Sequence, residues 1–329
     1  MAARPPVKSK ILTAIPVCNG EQFLEQTLES VARQTLRPDR VVVLDNCSTD
    51  RTAEIVRNFK GIPCEFIRNP TNLGLFGNFN RCLDFADQTE FLQILHADDT
   101  IEPEFYKVMT GLLSDCDGLG LAWSLDERID EQNRHLSWSG KIDGKIERLS
   151  RDTFLKRKAE IGNQAFCATL MKTNFQPAPC RYPLDFPIVG DMVFWAEFGS
   201  HCRQTIHLHR ALGKYRWHGT NQTVLLGPTL QSLVHDEWRT MERTEMLRGK
   251  GWSWDRKLKL KGLLAVRANI KAKRVWQNGN ADYAREIARA ARGLTGGPLW
   301  LAGKLLVELR DFYLFKIQRR TRHPKNIYG

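Results

Sequence analysis

The chain has 329 residues, of which 42% are hydrophobic and 26% are charged, and this balance excludes a disordered chain. Its length allows a large buried core, and we expect one main domain followed by an appendage. The eight cysteines form no CxxC or other close pair, so neither a zinc-finger arrangement nor a disulfide framework is predicted, and a reducing cytoplasm fits best.

Positive charge is concentrated near the carboxyl end. The formal net charge is +12, but residues 239–329 carry +15 and residues 1–238 carry −3. No apolar run approaches the roughly 20 residues that a membrane-spanning helix needs, and the first ten residues do not resemble a secretory signal. We therefore expect a cytoplasmic protein that is soluble or peripheral to a membrane.

The first hundred residues alternate between strand and helix patterns. One helix is predicted from Glu21, a second ends at Phe59, and two more span residues 78–86 and 104–113. This alternation predicts an α/β fold with a doubly wound, mainly parallel sheet and helices on both faces. Ligands of such sheets bind at the loops that follow the strands. The predicted strands span residues 10–17, 40–44, 64–68 and 91–95.

The fourth predicted strand leads into two adjacent carboxylates, Asp98 and Asp99. At the rim of a parallel sheet these oxygens suit Mg²⁺ or Mn²⁺, which usually complete their shell with waters and substrate phosphates. Because the sequence has neither a GxGxxG fingerprint nor a P-loop, a bound diphosphate would have to be held by the metal. The same carboxylates could instead cap a turn before the next helix, and the residues alone leave both interpretations open.

Several segments in this order and spacing resemble the nucleotide-sugar-binding half of family 2 glycosyltransferases, the inverting enzymes of the GT-A fold. The resemblance covers about residues 8–224. It implies metal-dependent transfer of a sugar from a nucleoside-diphosphate sugar to a hydroxyl of a glycan or lipid-linked acceptor, in surface polysaccharide synthesis. The segments are residues 15–20, 43–50, 69–74, 95–99, 190–195 and 215–218.

The resemblance implies a donor pocket with nucleoside contacts near the first strand and diphosphate contacts further along the chain. Asp45 would accept a hydrogen bond from the base, and Arg216 would hold the departing diphosphate. The donor-binding residues it implies are Pro16, Val17 and Asn19 around the nucleoside, together with Asp45, Asn72, Gly74, Ala97, Asp98 and Arg216.

The implied metal ligands are Asp98, Asp99 and His218, and the cofactor is Mn²⁺ or Mg²⁺. The chain departs from the family at His96, which stands where the family's metal motif has its first aspartate. Histidine can ligate Mn²⁺ but is a poor partner for Mg²⁺. The residues favour a His96 side chain that is bonded to a neighbouring backbone group at the strand end.

The acceptor side follows residue 125. An aspartate placed like Asp191, directly before a predicted helix at 192–198, most often caps that helix, but the matching aspartate of the family is the general base. Asp185 is a rival base, which we expect in a turn. His207 and His209 alternate onto one strand face, for which a half-exposed surface is favoured over a metal site. The other elements expected here are short strands at 124–138 and 141–147, a helix from residue 150, and strands at 162–171, 202–209 and 211–218.

The predicted domains are a catalytic domain at residues 1–227 and a basic helical extension at 228–329. The last predicted helix of the extension, at residues 298–320, combines a wide apolar face with cationic side chains. That helix could lie on an anionic membrane surface, at the inner face of the membrane, or its apolar face could pack on the catalytic domain, and both remain open. No nucleic-acid partner is expected, because the extension has no nucleic-acid-binding motif.

Two other functions fit parts of the sequence. A nucleotidyltransferase shares the sheet and the carboxylate-held metal, but it would typically have a glycine-rich, basic loop after the first strand, which residues 18–21 are not. A non-catalytic relative that binds membranes or polyanions through the basic extension would explain His96. The carboxylates at the motif positions favour an enzyme.

Overall fold

The computed structural model describes residues 9–161, 166–186, 189–219, 221, 233–249, 253–277 and 280–321. The chain divides into two compact units, Met1–Asn221 and Gln222–Gly329. The predicted domain boundary between residues 227 and 228 lies outside the described residues and remains a prediction.

The first unit is built on one mixed sheet with the strand order β3-β2-β1-β4-β9-β6-β10-β5, in which β7 pairs with β6 and β8 with β10. Strands β3, β2, β1 and β4 run parallel to one another, and β6 and β10 are parallel to each other. The remaining pairings, β4 with β9, β6 with β7 and β9, and β10 with β5 and β8, are antiparallel. The predicted α/β class with a mainly parallel sheet is confirmed. The strands are β1 Ser9–Val17, β2 Arg40–Asp45, β3 Glu65–Arg68, β4 Thr89–Ile94, β5 Thr100–Ile101, β6 Gly120–Ile129, β7 His135–Trp138, β8 Ile146–Leu149, β9 Thr169–Lys172 and β10 Gln204–Arg216.

Within the described part of the first unit, six α-helices accompany this sheet, and several begin away from their predicted starts. The helix predicted at 78–86 begins earlier, because the side chain of Asn72 accepts a hydrogen bond from Gly74 N (2.8 Å) and Gly74 adopts a φ of +72°. The two strands predicted at 202–209 and 211–218 are one strand, β10, with register shifts between Leu208 and Gly213. The helices are α1 Leu24–Ala32, α2 Thr52–Asn58, α3 Gly74–Leu83, α4 Phe105–Leu112, α5 Arg151–Ile161 and α6 Gly190–His201.

The core forms where apolar helix faces cover the central strands. Helix α1 turns one face inward, and each Leu or Val fully buried in this way contributes about 1.5–3 kcal/mol. Helix α6 likewise buries the aromatic side chains that its sequence pattern predicts, Phe194, Trp195 and Phe198. The buried residues of α1 are Leu24, Thr27, Leu28, Val31 and Ala32.

The parallel register brings the carboxyl ends of four strands to one edge of the sheet. Val17 pairs with Asp45, and Asp45 with Arg68, at the ends of β1, β2 and β3. Beyond the end of β4, Leu95 N donates to Ala14 O over 3.0 Å. The loops that the sequence predicts as ligand-binding therefore follow strand ends at a common edge.

The second unit is helical, as predicted for the extension. Asn280 caps α9 by accepting a hydrogen bond from Tyr283 N (3.1 Å). Among the residues described, no helix combines the length and apolarity needed to cross a bilayer. The helices are α7 Leu233–Arg248, α8 Trp254–Gln277, α9 Ala281–Thr295 and α10 Gly297–Thr321.

The contact between α5 and α6 requires a glycine at position 199. A Cβ built on Gly199 would lie 2.2 Å from a ring carbon of the fully buried Phe154. We expect Gly199→Ala to lower the free energy of unfolding by about 1–3 kcal/mol through overpacking. Gly111→Ala in α4 is the matched control: its Cβ meets nothing within 4 Å, and helix propensity favours alanine. Urea titration of both variants measures the difference, and equal stability would contradict the packing argument.

Candidate active site

The turn that carries the two carboxylates is fixed by a buried hydroxyl. Thr27 of α1 is completely buried, and its Oγ1 lies 2.9 Å from Ala97 O and 2.8 Å from Asp99 O. One hydroxyl proton is shared between these two carbonyl oxygens. Helix α1 therefore holds the turn after β4. The sequence pattern predicted only that Thr27 lies on the core-facing side of this helix.

Asp99 is fully buried, and only part of its carboxylate is satisfied. Its Oδ1 accepts a hydrogen bond from Arg216 N (2.9 Å), whereas Oδ2 has no hydrogen-bond partner among the described residues. Burial, and then the neighbouring charge of Asp98, hold the pKa of Asp99 well above its usual value. An unpaired, buried carboxylate oxygen is a good candidate for a metal ligand.

The pKa of Asp98 is shifted in the opposite direction from that of Asp99. Its Oδ2 lies 2.9 Å from Nε2 of His218, a buried side chain that packs on the ring of Phe23. Burial raises the pKa of Asp98, but the hydrogen bond with His218 contributes most to an opposing effect that lowers this pKa below its usual value. The structure thus brings together two of the predicted metal ligands, Asp98 and His218.

His96 completes a cluster with the two carboxylates. One ligand atom from each of His96, Asp98 and Asp99 lies within 4.8 Å of the others. His96 does not make the expected hydrogen bond to the backbone. Its ring packs against the rings of Phe79 and Phe166, with centroid distances of 5.0 Å and 4.3 Å. Nε2 of His96 has no hydrogen-bond partner within the described ranges. Burial lowers the pKa of His96, which keeps the imidazole neutral and able to bind a metal.

Arg216 is buried, and its hydrogen bonds differ from those expected of a diphosphate contact. Its guanidinium donates to Asp98 O (2.8 Å), Asn133 Oδ1 (2.7 Å) and Gln26 Oε1 (3.0 Å). The same group lies 4.6 Å from the centroid of the Phe23 ring. These bonds favour a positioning role, in which Arg216 holds the carboxylate turn, over the predicted contact with the donor.

The residues predicted around the nucleoside lie at the ends of β1 and β2. Pro16 and Val17 are buried in β1, and Asn19 follows in the left-handed region with a φ of +56°, which asparagine tolerates. Asn19 N donates to Ser48 Oγ (2.8 Å), and Asn19 Oδ1 accepts from Thr49 N (2.8 Å). The loops after β1 and β2 are therefore bonded to each other.

Asp45 is fully buried at the end of β2. Its Oδ1 accepts a hydrogen bond from Ser48 N over 3.0 Å. Its Oδ2 lies 3.4 Å from Nε of the half-exposed Arg68 and has no hydrogen bond within the described residues. Oδ2 of Asp45 is thus paired with Arg68 by charge and lacks a hydrogen bond among the described residues.

A buried amide that sequence reasoning missed organises the loop after β3. Asn46 Nδ2 donates to Asn72 Oδ1 (2.8 Å) and Gly74 O (3.2 Å), and Asn46 Oδ1 accepts from Leu73 N (2.8 Å). Asn69 Nδ2 donates to the same Oδ1 over 3.1 Å. Asn46 therefore holds Asn72 and Gly74, which were predicted to bind the donor. The only feature of the sequence that could have indicated this role of Asn46 is its position directly after Asp45.

Asp191 lies in the first turn of α6, where its Oδ1 accepts a hydrogen bond from Met192 N (2.8 Å). The start of this helix packs on α3, because a Cβ on Gly190 would lie 2.8 Å from the ring of Phe76. Asp185 is exposed in a turn, as expected.

The charge of Asp191 and the charges of the carboxylate turn act on the same side chain, Tyr215. Burial raises the pKa of the Tyr215 hydroxyl, and the charges of Asp99, Asp98 and Asp191 raise it further. All three carboxylates therefore act electrostatically on one side chain of β10.

Comparisons with known proteins indicate the family to which this chain is related. Residues 13–173 match the family model described as glycosyl transferase family 2. An uncharacterised protein of Mycobacterium tuberculosis is 29% identical over 147 residues, which cover 44% of this chain and 44% of that protein. An uncharacterised glycosyltransferase of Haemophilus influenzae is 25% identical over 219 residues, which cover 64% of this chain and 67% of that protein. This chain thus spans less than half the length of the mycobacterial relative.

TarS of Staphylococcus aureus, a poly(ribitol-phosphate) β-N-acetylglucosaminyltransferase, is similar in both sequence and structure. Its sequence is 30% identical over 101 residues, which cover 30% of this chain and 18% of TarS. The crystal structure of TarS 1-349 in complex with UDP-GlcNAc superposes with a TM-score of 0.56 at 14% identity, covering 86% of this chain and 92% of that one. At this identity, the superposition establishes a shared fold.

The mixed sheet and the similar solved structures together define a GT-A-type fold. The chain belongs to glycosyl transferase family 2, through residues 13–173.

The hydroxyl of Thr27 provides a test of how the carboxylate turn is held. We expect Thr27→Val to lower the free energy of unfolding by about 1–3 kcal/mol, because it leaves two buried carbonyl oxygens without their donor while preserving shape. The control is Thr35→Val, whose exposed hydroxyl bonds to Pro103 O, and it should change stability by less than about 0.5 kcal/mol. Thermal unfolding compares the two, and a Thr27→Val protein as stable as the control would rule out this anchoring role.

Proposed function

We propose that this protein is a metal-dependent, inverting glycosyltransferase that moves a sugar from a nucleoside-diphosphate sugar to a hydroxyl of a glycan or lipid-linked acceptor, in the synthesis of a surface polysaccharide. The observation that carries the proposal is the cluster of His96, Asp98 and Asp99, whose ligand atoms lie within 4.8 Å of one another beyond the end of β4 in a family 2 domain.

The residues of the cluster fit a divalent metal. Asp99 Oδ2 and His96 Nε2 are buried without hydrogen-bond partners among the described residues, and Asp98 is paired only with groups that leave it ionised. Asp98, Asp99 and His218 would hold the ion, with His96 as a further ligand. A nitrogen ligand favours Mn²⁺ over Mg²⁺. When bound, the ion would neutralise negative charge on the leaving diphosphate.

A uridine nucleotide is the donor we propose first. Support comes from the fold shared with TarS, which has been crystallised with UDP-GlcNAc. In this chain Oδ2 of Asp45 would accept a hydrogen bond from the base. The loop that carries Asn72 and Gly74, which Asn46 holds in place, would lie along the donor.

Asp191 is proposed as the general base. Inverting transfer needs one carboxylate to take the proton of the acceptor hydroxyl while that oxygen attacks the anomeric carbon from the face opposite the leaving group. Asp191 is half-buried at the start of α6 and shares an electrostatic environment with Asp98 and Asp99 around Tyr215. No covalent intermediate is required.

We also propose that the second unit docks on an anionic membrane surface at the inner face of the membrane. Val307 of α10 is buried, and a Cβ on Gly303 would lie 3.0 Å from the backbone of Ala265, so this side of α10 packs on α8. A leucine stripe remains exposed, while residues 239–329 carry a net charge of +15, which suits anionic lipids. The stripe comprises Leu301, Leu305, Leu306 and Leu309, each more than half exposed.

Donor hydrolysis tests the catalytic proposal. The full chain is incubated with UDP-, GDP-, dTDP- and CMP-sugars in Mn²⁺, Mg²⁺ or chelator, and release of free nucleotide is followed. We expect release from one donor only with metal, and a loss of about 10²–10⁴-fold in Asp191→Asn, which removes the base. Asp98→Asn should abolish both metal-dependent release and metal-dependent binding of the nucleotide, whereas Asp191→Asn should keep that binding.

Asp87→Asn is the control, because Asp87 is exposed on the amino side of β4. Nucleotide binding that is indifferent to metal and to Asp98→Asn would contradict the metal-dependent transferase. Release of diphosphate from a nucleoside triphosphate in the presence of a sugar phosphate would instead identify a nucleotidyltransferase.

Vesicle co-sedimentation tests the membrane proposal. We expect the full chain to pellet with anionic vesicles and not with neutral ones, and the triple variant Leu301→Gln, Leu305→Gln and Leu309→Gln to remain in the supernatant. Each glutamine removes about 1.5–3 kcal/mol of apolar burial in the interface. Leu184→Gln, at an exposed leucine of the first unit, should not change the bound fraction. Equal pelleting of the triple variant would contradict docking through the stripe.

A further inference from the structure

A second group of metal-ligating side chains lies on β8 and β10. Glu147 of β8 pairs in register with His207 of β10, and His209 follows on the same face of that strand. Ligand atoms of the three side chains all lie within 4.8 Å of one another. His209 and Arg216 are separated by roughly 20 Å of extended strand, so this group is distinct from the candidate active site.

The distances within this group match those between ligands of one metal ion. His209 Nε2 lies 3.3 Å and His207 Nδ1 lies 3.9 Å from the same oxygen, Glu147 Oε2. Two ligands that bind a tetrahedral zinc ion at about 2.0–2.1 Å are about 3.3–3.4 Å apart. A small movement of His207 would therefore bring its Nδ1 to the distance from Glu147 Oε2 that two ligands of one zinc ion have.

Neighbouring side chains orient both imidazoles. Asp143 Oδ1 lies 3.2 Å from His209 Nδ1, which directs the other ring nitrogen, Nε2, toward Glu147. Trp123 of β6 stacks on His207 with a centroid distance of 4.9 Å and an interplanar angle of 15°. A carboxylate on the second nitrogen of a ligating histidine is a regular feature of protein metal sites.

We propose that Glu147, His207 and His209 form a Zn²⁺ site, with Asp143 orienting His209. Two imidazoles and one carboxylate are ligands that zinc prefers, and they leave a fourth position for water. Because Glu147 belongs to β8 and both histidines belong to β10, the ion would link these strands. The sequence favoured a half-exposed surface for the two histidines, since the pairing that brings Glu147 opposite them is a tertiary contact.

Two cations compete with zinc for Glu147. Arg157 Nη1 lies 2.5 Å from Glu147 Oε2, the oxygen that faces both histidines, and Lys145 Nζ lies 2.6 Å from Oε1. Arg157 must move away from Oε2, or share it, when an ion binds. Its removal should therefore strengthen zinc binding, whereas removal of a histidine should weaken it.

Calorimetric titration tests the proposal directly. The full chain is freed of metal with a chelator and titrated with Zn²⁺ in excess Mn²⁺, which competes at the carboxylate turn. We expect binding of one zinc equivalent that is weakened roughly tenfold or more in His207→Gln and in His209→Gln, and strengthened roughly tenfold in Arg157→Gln. Asp98→Asn should retain this equivalent, which separates it from the metal of the proposed catalytic function.

His135→Gln is the matched control, because His135 also lies beside a carboxylate, with Nδ1 2.9 Å from Glu127 Oε1, but outside the group. The variant should bind zinc as tightly as the parent chain. If the His207 and His209 variants bind zinc as tightly as the parent chain, or if Arg157→Gln leaves the affinity unchanged, the group is an ion-pair network and the proposal is wrong. The Arg157 variant is expected to gain zinc affinity, and a folding defect cannot produce such a gain. This variant therefore tests the proposal even if the histidine variants fail to fold.

Discussion

The burial of Asp99 directly beside a second carboxylate is the constraint on which the rest of this edge of the sheet depends. Two adjacent carboxylates in a dry environment repel each other and lose hydration, which is tolerated only where their oxygens find partners. The last residue of β10 supplies the backbone N–H that bonds Asp99, and His218, two residues later, pairs with Asp98. The end of β10 is thereby fixed against the end of β4.

Neutral amides, together with charged side chains such as Arg68 and Asp50, hold the loops of the proposed donor side. Asn19 joins the loops after β1 and β2, and Asn46 joins the loops after β2 and β3. Each of these side chains bonds backbone or amide groups of another loop, so three loops that are separate in sequence form one bonded surface. If the proposed nucleotide binds there, these loops need little further ordering, which lowers the entropic cost of binding.

Much of the first hundred residues could be predicted, because each strand and helix there has its own period and its own turn residues. The prediction was weaker where partners come from distant segments. Arg216 matched a motif that suggested a diphosphate contact, yet the acceptors Gln26 and Asn133 draw its guanidinium into the structure. His96 was expected to bond a backbone group, but Phe79 and Phe166 enclose the ring instead.

The sequence by itself determined the α/β class, the helical nature of the extension and the placement of Asp98 and Asp99 at a strand end, because hydrophobic period and turn chemistry are local properties of the chain. Only the tertiary structure decided that Oδ2 of Asp99 has no hydrogen-bond partner among the described residues, that Asn46 holds the loop of Asn72 and Gly74, and that Glu147 faces His207 and His209. Those features depend on strand order and register, which arise from contacts between residues far apart in the chain and leave no local pattern.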